Sequence, residues 1–490
     1  MAKITAVIDI GSNSARMVVF ERTSRFGFYL LKELKSRVRI SEDTYENGGY
    51  LQTKAIDRAL KALEEFVRAA KCLKARKILA VATSALRDAP NGNEFVNRAK
   101  KELGLNIKII DGEKEAYLGA VAALNLLPVD SGLTVDIGGG STELALIEDR
   151  KITKLISLNI GTIRLKELFF DRKASVDEAR EFIQKELEKL PADITSEIII
   201  GIGGTLRALS KSFLKSSSYP IVSLHGYSYS LESQMDTLEK IYSSHVTKLK
   251  KFNIKEDRFD TIREGVLIFH SIIQKVQAKK VVTSGVGVRE GLFLTDLLRS
   301  QNHVFPKNFN PSIRSLTDRF CVAKDSSLYK QRVAKKIFQT LKPRHGLDDS
   351  YIWPLEVAAK LSYIGVMLNF YNANKHGSYF LLNTLTYAIS HEDRALISIL
   401  VQFSDKKLVT NSGISDLKKL LPSLEVLNWL SFMLSLSINL NIDESLQNLE
   451  FELKDDVLYI KSEKELYLAK ESIRKIEKPT SLAIIFKSND

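Results

Sequence analysis

The sequence predicts an α/β chain made of two similar units that clamp a ligand between them, followed by a helical region. Four observations predict it. Leu133–Glu143 reads Leu-Thr-Val-Asp-Ile-Gly-Gly-Gly-Ser-Thr-Glu: an apolar run ending in Asp136, three glycines, then Ser141, Thr142 and Glu143 entering a second apolar run. Ala6–Ser14, Ala-Val-Ile-Asp-Ile-Gly-Ser-Asn-Ser, echoes it. Asp9 and Asp136 lie about one domain's length apart. Beyond Pro311 the pattern turns helical. Glycine-rich turns let successive N–H groups converge on an anion, and an Asp at the strand end can hold a metal ion or a water beside it. Either turn alone reads as an ordinary hairpin; together they read as a duplicated phosphate site.

Composition narrows the class. A chain of 490 residues suggests roughly three domains. Hydrophobic content of 44% with 27% charged residues fits a globular chain with large cores. Met1-Ala2-Lys3-Ile4 runs into a strand with no charged-then-apolar leader. The most apolar stretch, Val426–Ile442, is broken by Asn428, Ser431, Ser435, Ser437, Asn439 and Asn441, and reads as a buried helix rather than a membrane span. Two cysteines, Cys72 and Cys321, exclude a disulfide framework and fit a reducing cytoplasm. The net charge of +13 points to polyanionic partners, and residues 301–350 carry ten Lys+Arg against four Asp+Glu. No RNA-recognition signature or basic targeting run is present, so no sequence-specific nucleic-acid partner is expected.

In order, residues 3–10, 15–22 and 27–35 read as an antiparallel meander. Glu46–Gly49 reads as a loop, and Thr53 as the N-cap of a helix to about Lys74 with apolar positions Ile56, Leu60, Leu63 and Val67. The strand Lys77–Thr83 leads to Thr83-Ser84-Ala85-Leu86-Arg87-Asp88-Ala89, where an Arg among small residues suits a phosphate. A helix and the strand 106–110 precede Asp111-Gly112-Glu113-Lys114-Glu115-Ala116, which opens a helix through Leu127. Glu115 there either complements the helix dipole or projects inward to orient a water. The plan then repeats: strands at 133–137, 142–149 and 152–158, the turn Gly161-Thr162-Ile163-Arg164, and the strand 197–201 running into Gly203-Gly204-Thr205 before a helix, a third anion candidate. Arg258-Phe259-Asp260 begins a long helix, and a strand at 280–284 leads to Gly285–Gly291 and another helix. Asn302–Pro311 reads as a linker. Helices follow, with breaks, at 312–342, 353–370, 376–402 and 411–440, then a small β-α-β tail.

These motifs, in this order, resemble the exopolyphosphatase / guanosine pentaphosphate phosphohydrolase (Ppx/GppA) family of the actin-like superfamily. The resemblance covers nearly all of residues 3–300 and, more loosely, the rest. It implies two tandem actin-like (ribonuclease H-like) domains, 1–123 and 124–301. An all-helical HD-like domain follows at 302–490, with an α+β tail from about 446. It implies a cytoplasmic, homodimeric, Mg²⁺- or Mn²⁺-dependent hydrolase removing the terminal phosphate of polyphosphate or the 5′ γ-phosphate of guanosine pentaphosphate, with no membrane partner. Carried over, Glu115 matches the catalytic glutamate that deprotonates the attacking water, with Arg87 beside the phosphate. Asp136, Glu143 and Asp9 match acidic residues around the metal. The phosphate cradle falls on Gly11, Ser12, Asn13, Ser14, Gly138, Gly139, Gly140, Ser141, Thr142, Gly203, Gly204 and Thr205.

Two departures stand out. Arg37-Val38-Arg39-Ile40-Ser41 lacks the family's glycine after Val-Arg. Leu361-Ser362-Tyr363-Ile364-Gly365 replaces the metal-binding His-Asp of true HD proteins and leaves His376 without partners, so no second metal centre is expected. Two other readings remain: an actin-like kinase or ATPase, and a non-catalytic alarmone or polyphosphate sensor.

Overall fold

The computed structural model describes residues 3–44, 47–172, 175–321 and 323–488. Met1, Ala2 and Glu46, used above to read the start of the chain and a loop, lie outside the described residues. Contacts divide the chain into two compact units, Met1–Pro311 and Ser312–Asp490.

The first unit opens with β1 (Ile4–Ile10), β2 (Ala15–Arg22), β3 (Phe28–Ser36), α1 (Thr53–Cys72), β4 (Lys77–Ala82), α2 (Ser84–Arg87), α3 (Gly92–Leu103) and β5 (Ile107–Ile109). The strands form one sheet in the order β3-β2-β1-β4-β5, antiparallel on the meander side and parallel beyond β1. After α4 (Gly112–Leu126) come β6 (Gly132–Ile137), β7 (Thr142–Glu148), β8 (Lys151–Leu158), α5 (Thr162–Leu165), α6 (Val176–Leu187), β9 (Ile198–Ile202) and α7 (Gly203–Ser216). The half closes with β10 (Ser228–Ser230), α8 (Met235–Ser243), α9 (Ile262–Val276), β11 (Lys280–Thr283) and α10 (Val288–Leu297). Its sheet runs β10-β11-β9-β6-β7-β8, so β6, β7, β8, β9 and β11 repeat the places of β1 to β5, with β10 added at the edge. Register repeats too. Asp9 stands opposite Arg16 on β2 and Val81 on β4; Asp136 stands opposite Glu143 on β7 and Ile202 on β9.

Each half lends its last helix to the other. α4 follows β5 yet packs on β6, β7 and β8, while α10 follows β11 yet packs on β1. Phe293 of α10 stacks on Phe20 at 4.4 Å and meets Phe28 edge-on at 4.9 Å. The two helices cross in backbone contact: a Cβ on Gly291 would lie 1.9 Å from the Leu118 carbonyl oxygen, so only glycine passes. The expected boundary after residue 123 falls inside α4.

Three local expectations are corrected. Thr53 is the first helical residue of α1; Gln52 is the cap and makes no side-chain cap bond. Residues 256–258 form one 3₁₀ turn, and α9 begins only at Ile262. Residues 302–311 are not a free linker. Asn125 donates to the His303 carbonyl and accepts from the Phe305 amide, and Phe305 and Phe309 pack on Phe26.

The second unit continues through α11 (Pro311–Phe320), α12 (Lys324–His345), α13 (Ile352–Leu361), α14 (Ala373–Thr384), α15 (His391–Gln402) and α16 (Leu424–Asn439). Residues 411–423, expected as helix, carry only two 3₁₀ turns. The interrupted apolar stretch lies on α16, which is buried nearly all round. Its serines return their hydroxyls to carbonyls, Ser431 to Phe403 at 2.7 Å and Ser437 to Leu434 at 2.7 Å, so burial leaves them paired. A three-stranded sheet ends the chain: β12 (Leu449–Lys454), β13 (Val457–Ser462), α17 (Tyr467–Ile473) and β14 (Ala483–Ser488), with β14 parallel to β13. Among the described residues no helix is long and apolar enough to cross a membrane.

Candidate active site

The two glycine turns follow β1 and β6 and face each other. A Cβ on Gly139 would lie 3.0 Å from Ser12 Cβ, so the loops are in contact across the junction of the halves. Each is held by backbone bonds. In the first, the Gly11 amide donates to Ser14, and the Arg39 and Ser41 amides donate to the Asn13 and Ser12 carbonyls. In the second, the Gly138 amide donates to Ser141, and the Gly161–Arg164 turn grips the loop through the Thr162, Ile163 and Arg164 amides. The Arg164 guanidinium adds a bond to the Gly140 carbonyl at 3.0 Å.

A cleft of about 240 Å³ lies between them. Of the residues expected in the site, Asp9, Gly11, Ser12, Asn13, Ser14, Glu115, Asp136, Gly138, Gly139, Ser141, Gly203, Gly204 and Thr205 line it. Arg87, Gly140, Thr142 and Glu143 do not line it. Thr142 is fully buried and spends its hydroxyl on the Ile160 carbonyl at 2.6 Å. Gly140 is buried beneath Arg164. Glu143, 2% exposed, sits behind the wall and accepts from Ser157 at 3.1 Å. Arg87 reaches the cleft only through Glu115, its Nη1 standing 3.5 Å from Glu115 Oε2 and 3.2 Å from the Ile110 carbonyl.

Glu115 is positioned by the start of α4. Asp111 caps that helix by accepting from the Lys114 amide at 2.7 Å, and Gly112 packs directly on Ser157. Burial, and then repulsion from Glu143, Asp136 and Asp9, pushes the Glu115 carboxyl well above its ordinary range, against the pull of Arg87. Burial raises Glu143 and Asp136 as well, and takes Asp9 to about 6 despite Arg289 and Arg16. Gly203 is required beside this group. Its φ is +80°, and a Cβ there would lie 2.2 Å from Asp136 Oδ1.

Cations that sequence reasoning missed complete the wall: Arg16, Lys35, Arg37, Arg207, Arg258 and Arg289, six basic groups against four carboxylates. Arg289 is 5% exposed and donates to Glu33 at 2.9 Å. Arg207 is pinned by bonds to the Ser284 and Val286 carbonyls, and burial, with Arg289 next, pushes it down to about 10. Arg16 was legible. It follows Asp9 at the interval by which Glu143 follows Asp136, and the structure puts both opposite their aspartates.

Among the described residues no three His, Cys, Asp or Glu side chains stand close enough to hold a metal ion by themselves. Mg²⁺ needs less, since it binds through one or two carboxylates and completes its shell with phosphate oxygens and water. Asp9 and Asp136, at the ends of β1 and β6 in one phosphate-type cleft, fit that donor set.

A duplicated sheet pair with a basic cleft between facing glycine loops defines a phosphate-handling protein of the actin-like fold. The chain belongs to the Ppx/GppA phosphatase family: that family's model matches residues 18–300, and its domain III model matches residues 310–477. It is therefore a hydrolase of that family, with a helical C-terminal domain. A guanosine-5′-triphosphate,3′-diphosphate pyrophosphatase from Vibrio parahaemolyticus is 28% identical over 400 residues, 77% of this chain and 76% of that protein. A crystal structure of the Aquifex aeolicus family member is 28% identical with a TM-score of 0.52, covering 61% of this chain and 99% of that one. An exopolyphosphatase from Cytophaga hutchinsonii shares the fold at 24% identity, with a TM-score of 0.55 over 60% of this chain and 98% of its own.

Proposed function

We propose that the cleft hydrolyses the terminal phosphoanhydride of guanosine pentaphosphate, of inorganic polyphosphate, or of both, by in-line attack of a water that Glu115 deprotonates. The observation that carries this reading is Glu115 itself: a buried carboxyl in the cleft wall, held well above its ordinary range by burial and by Glu143, beside two phosphate-type loops. A carboxyl with a raised pKa is a stronger base toward water. The name of the Vibrio relative supports the pentaphosphate, and the basic wall suits either polyanion.

Phosphoryl transfer asks for positioning and charge neutralisation more than covalent chemistry. Loop amides at residues 12–14 and 139–141 hold the terminal phosphate. The water oxygen bonds to phosphorus opposite the bridging oxygen, that P–O bond breaks, and the water proton passes to Glu115. Arg207 and Arg289 face the charge left on the departing phosphate. Arg87 holds the Glu115 carboxyl in place. When bound, Mg²⁺ or Mn²⁺ supplies Lewis-acid neutralisation of the phosphate oxygens, and Asp9 and Asp136 are the residues that would hold it. Family resemblance adds a cytoplasmic homodimer.

The test is phosphate release with Mg²⁺ from guanosine pentaphosphate and long polyphosphate in parallel, in oxygen-labelled water. Label appearing in the released phosphate supports hydrolysis and ranks the substrates. Phosphate transferred to an added acceptor moves the reading to a kinase, and binding without release moves it to a sensor.

A further inference from the structure

A second cavity, of about 500 Å³, opens beside the cleft, and Arg37 lines both. Its wall draws on both halves. Arg37 and Arg39 come from the glycine-less segment after β3, whereas Lys166, Asp260 and Arg263 come from the half built on β6 to β11. Arg37 Nη2 donates to Asp260 Oδ2 at 2.8 Å, an ion pair that joins the halves.

That pair differs from the other contacts in the wall. Arg39 lies 3.7 Å from Glu42 and Lys166 lies 2.7 Å from Asp171, each pair within its own half, and Arg263 lies 5.0 Å over the Phe170 ring. Among the described residues lining this cavity, the Arg37 pair alone draws its two members from the two halves. Its side chains are 41% and 40% exposed, so it is weak and screened by salt. An internal phosphate of a polyanion carries the same single charge as a carboxylate, engages a guanidinium bidentately and brings the charges of its neighbours with it, so it can take the place of Asp260.

The segment carrying Arg37 is not loose. Arg58 clamps it, donating to the Val38 carbonyl at 2.6 Å and the Arg39 carbonyl at 3.1 Å, with Glu42 at 2.8 Å. The same segment braces the first phosphate loop through the Arg39 and Ser41 amides. Whatever binds Arg37 is therefore held at a fixed offset from that loop.

We propose that the second cavity is a distal phosphate subsite: Arg37 receives a phosphate of the substrate beyond the one that reacts, and Asp260 occupies that position as a counter-ion until the substrate displaces it. This rests on the phosphatase reading of the adjoining cleft. Asp260 then weakens binding of substrates long enough to reach Arg37 and leaves shorter ones alone. It acts as a length-dependent specificity residue.

The experiment measures KM for tripolyphosphate and for long polyphosphate, with Mg²⁺, on the full chain carrying Asp260→Asn, Arg37→Met or both. Asp260→Asn lowers KM for long polyphosphate about two- to fivefold. Arg37→Met raises it about tenfold. Asp260→Asn leaves KM for tripolyphosphate within about twofold, Arg37→Met, which also lines the cleft, raises it less than it raises KM for long polyphosphate, and the double variant matches Arg37→Met because Asp260 acts through Arg37. Equal shifts for the two substrates, or additive shifts in the double variant, overturn the subsite. If wild type releases phosphate from neither substrate, the phosphatase reading falls separately. Titrating long polyphosphate onto wild type and Arg37→Met then decides the subsite, and equal affinities overturn it.

Discussion

Replacing Gly203 by alanine tests how the third glycine turn holds Asp136. Gly203 has φ +80°, and its Cβ would stand 2.2 Å from Asp136 Oδ1. Two costs follow. The left-handed backbone costs about 1–2 kcal/mol once a Cβ is present. The overlap then drives a cleft carboxylate away from its seat. Gly104 isolates the first cost, since its φ is +66° and nothing lies within 4 Å of its Cβ position. Gly104→Ala is therefore expected to lose about 1–2 kcal/mol, seen as a few degrees in Tm, with turnover kept. Gly203→Ala is expected to lose more than that and to release phosphate about a hundredfold more slowly, the scale set by misplacing a reacting group by about 1 Å. Thermal unfolding and steady-state phosphate release on both variants are the assays. Gly203→Ala matching Gly104→Ala in both would refute the reasoning.

Thr142→Val removes the hydroxyl bonded to the Ile160 carbonyl, so it should cost about 1–3 kcal/mol in chemical denaturation while KM stays put. A raised KM would restore Thr142 to the phosphate cradle. Arg87→Met removes the cation beside Glu115, and kcat should fall roughly a hundredfold with the acid limb of the pH profile moving upward, because that cation holds the Glu115 pKa down. Glu264, 4% exposed, carries a buried carboxyl oxygen with no hydrogen-bond partner, and burial raises its pKa to about 7. Such a group favours the folded chain only while protonated, so stability falls as pH rises from the ordinary carboxyl range through 7. Glu264→Gln should be more stable than wild type at pH 8 by about 1–3 kcal/mol and no more stable at pH 4. Chelation of divalent metal should abolish phosphate release, with Mg²⁺ restoring it in wild type and failing to do so in Asp136→Asn.

Much of the fold was legible because its signals are local. The two Asp-Ile-Gly turns sit between β-branched runs whose ends match β1, β2, β6 and β7 to within a residue. The apolar face of α1, at Ile56, Leu60, Leu63 and Val67, is buried as its spacing requires. The crossing of α4 and α10 was hidden, because each helix follows one sheet in sequence and packs on the other in space. Gly291 marks that crossing but reads in sequence as one more turn glycine. The onset of α9 was misplaced because residues 256–258 close one 3₁₀ turn, Phe259 and Asp260 turn again, and the helix starts only at Ile262. In the site, glycines and acids announced themselves by pattern. The arginines did not: Arg207, Arg258 and Arg289 come from three separate elements, and only the sheet order brings them to one wall. Thr142 and Glu143 adjoin the glycine loop in sequence, and on β7 both side chains are buried, Thr142 on the Ile160 carbonyl and Glu143 on Ser157.

The most direct test of the account is phosphate release by Glu115→Gln, measured with substrate binding on the same preparation. The exchange keeps the shape of the side chain and removes its capacity to accept a proton from water. The account requires release from guanosine pentaphosphate or polyphosphate to fall by at least about a hundredfold while affinity for the substrate is kept. Release at the wild-type rate would contradict it, and would move the base to another cleft carboxylate.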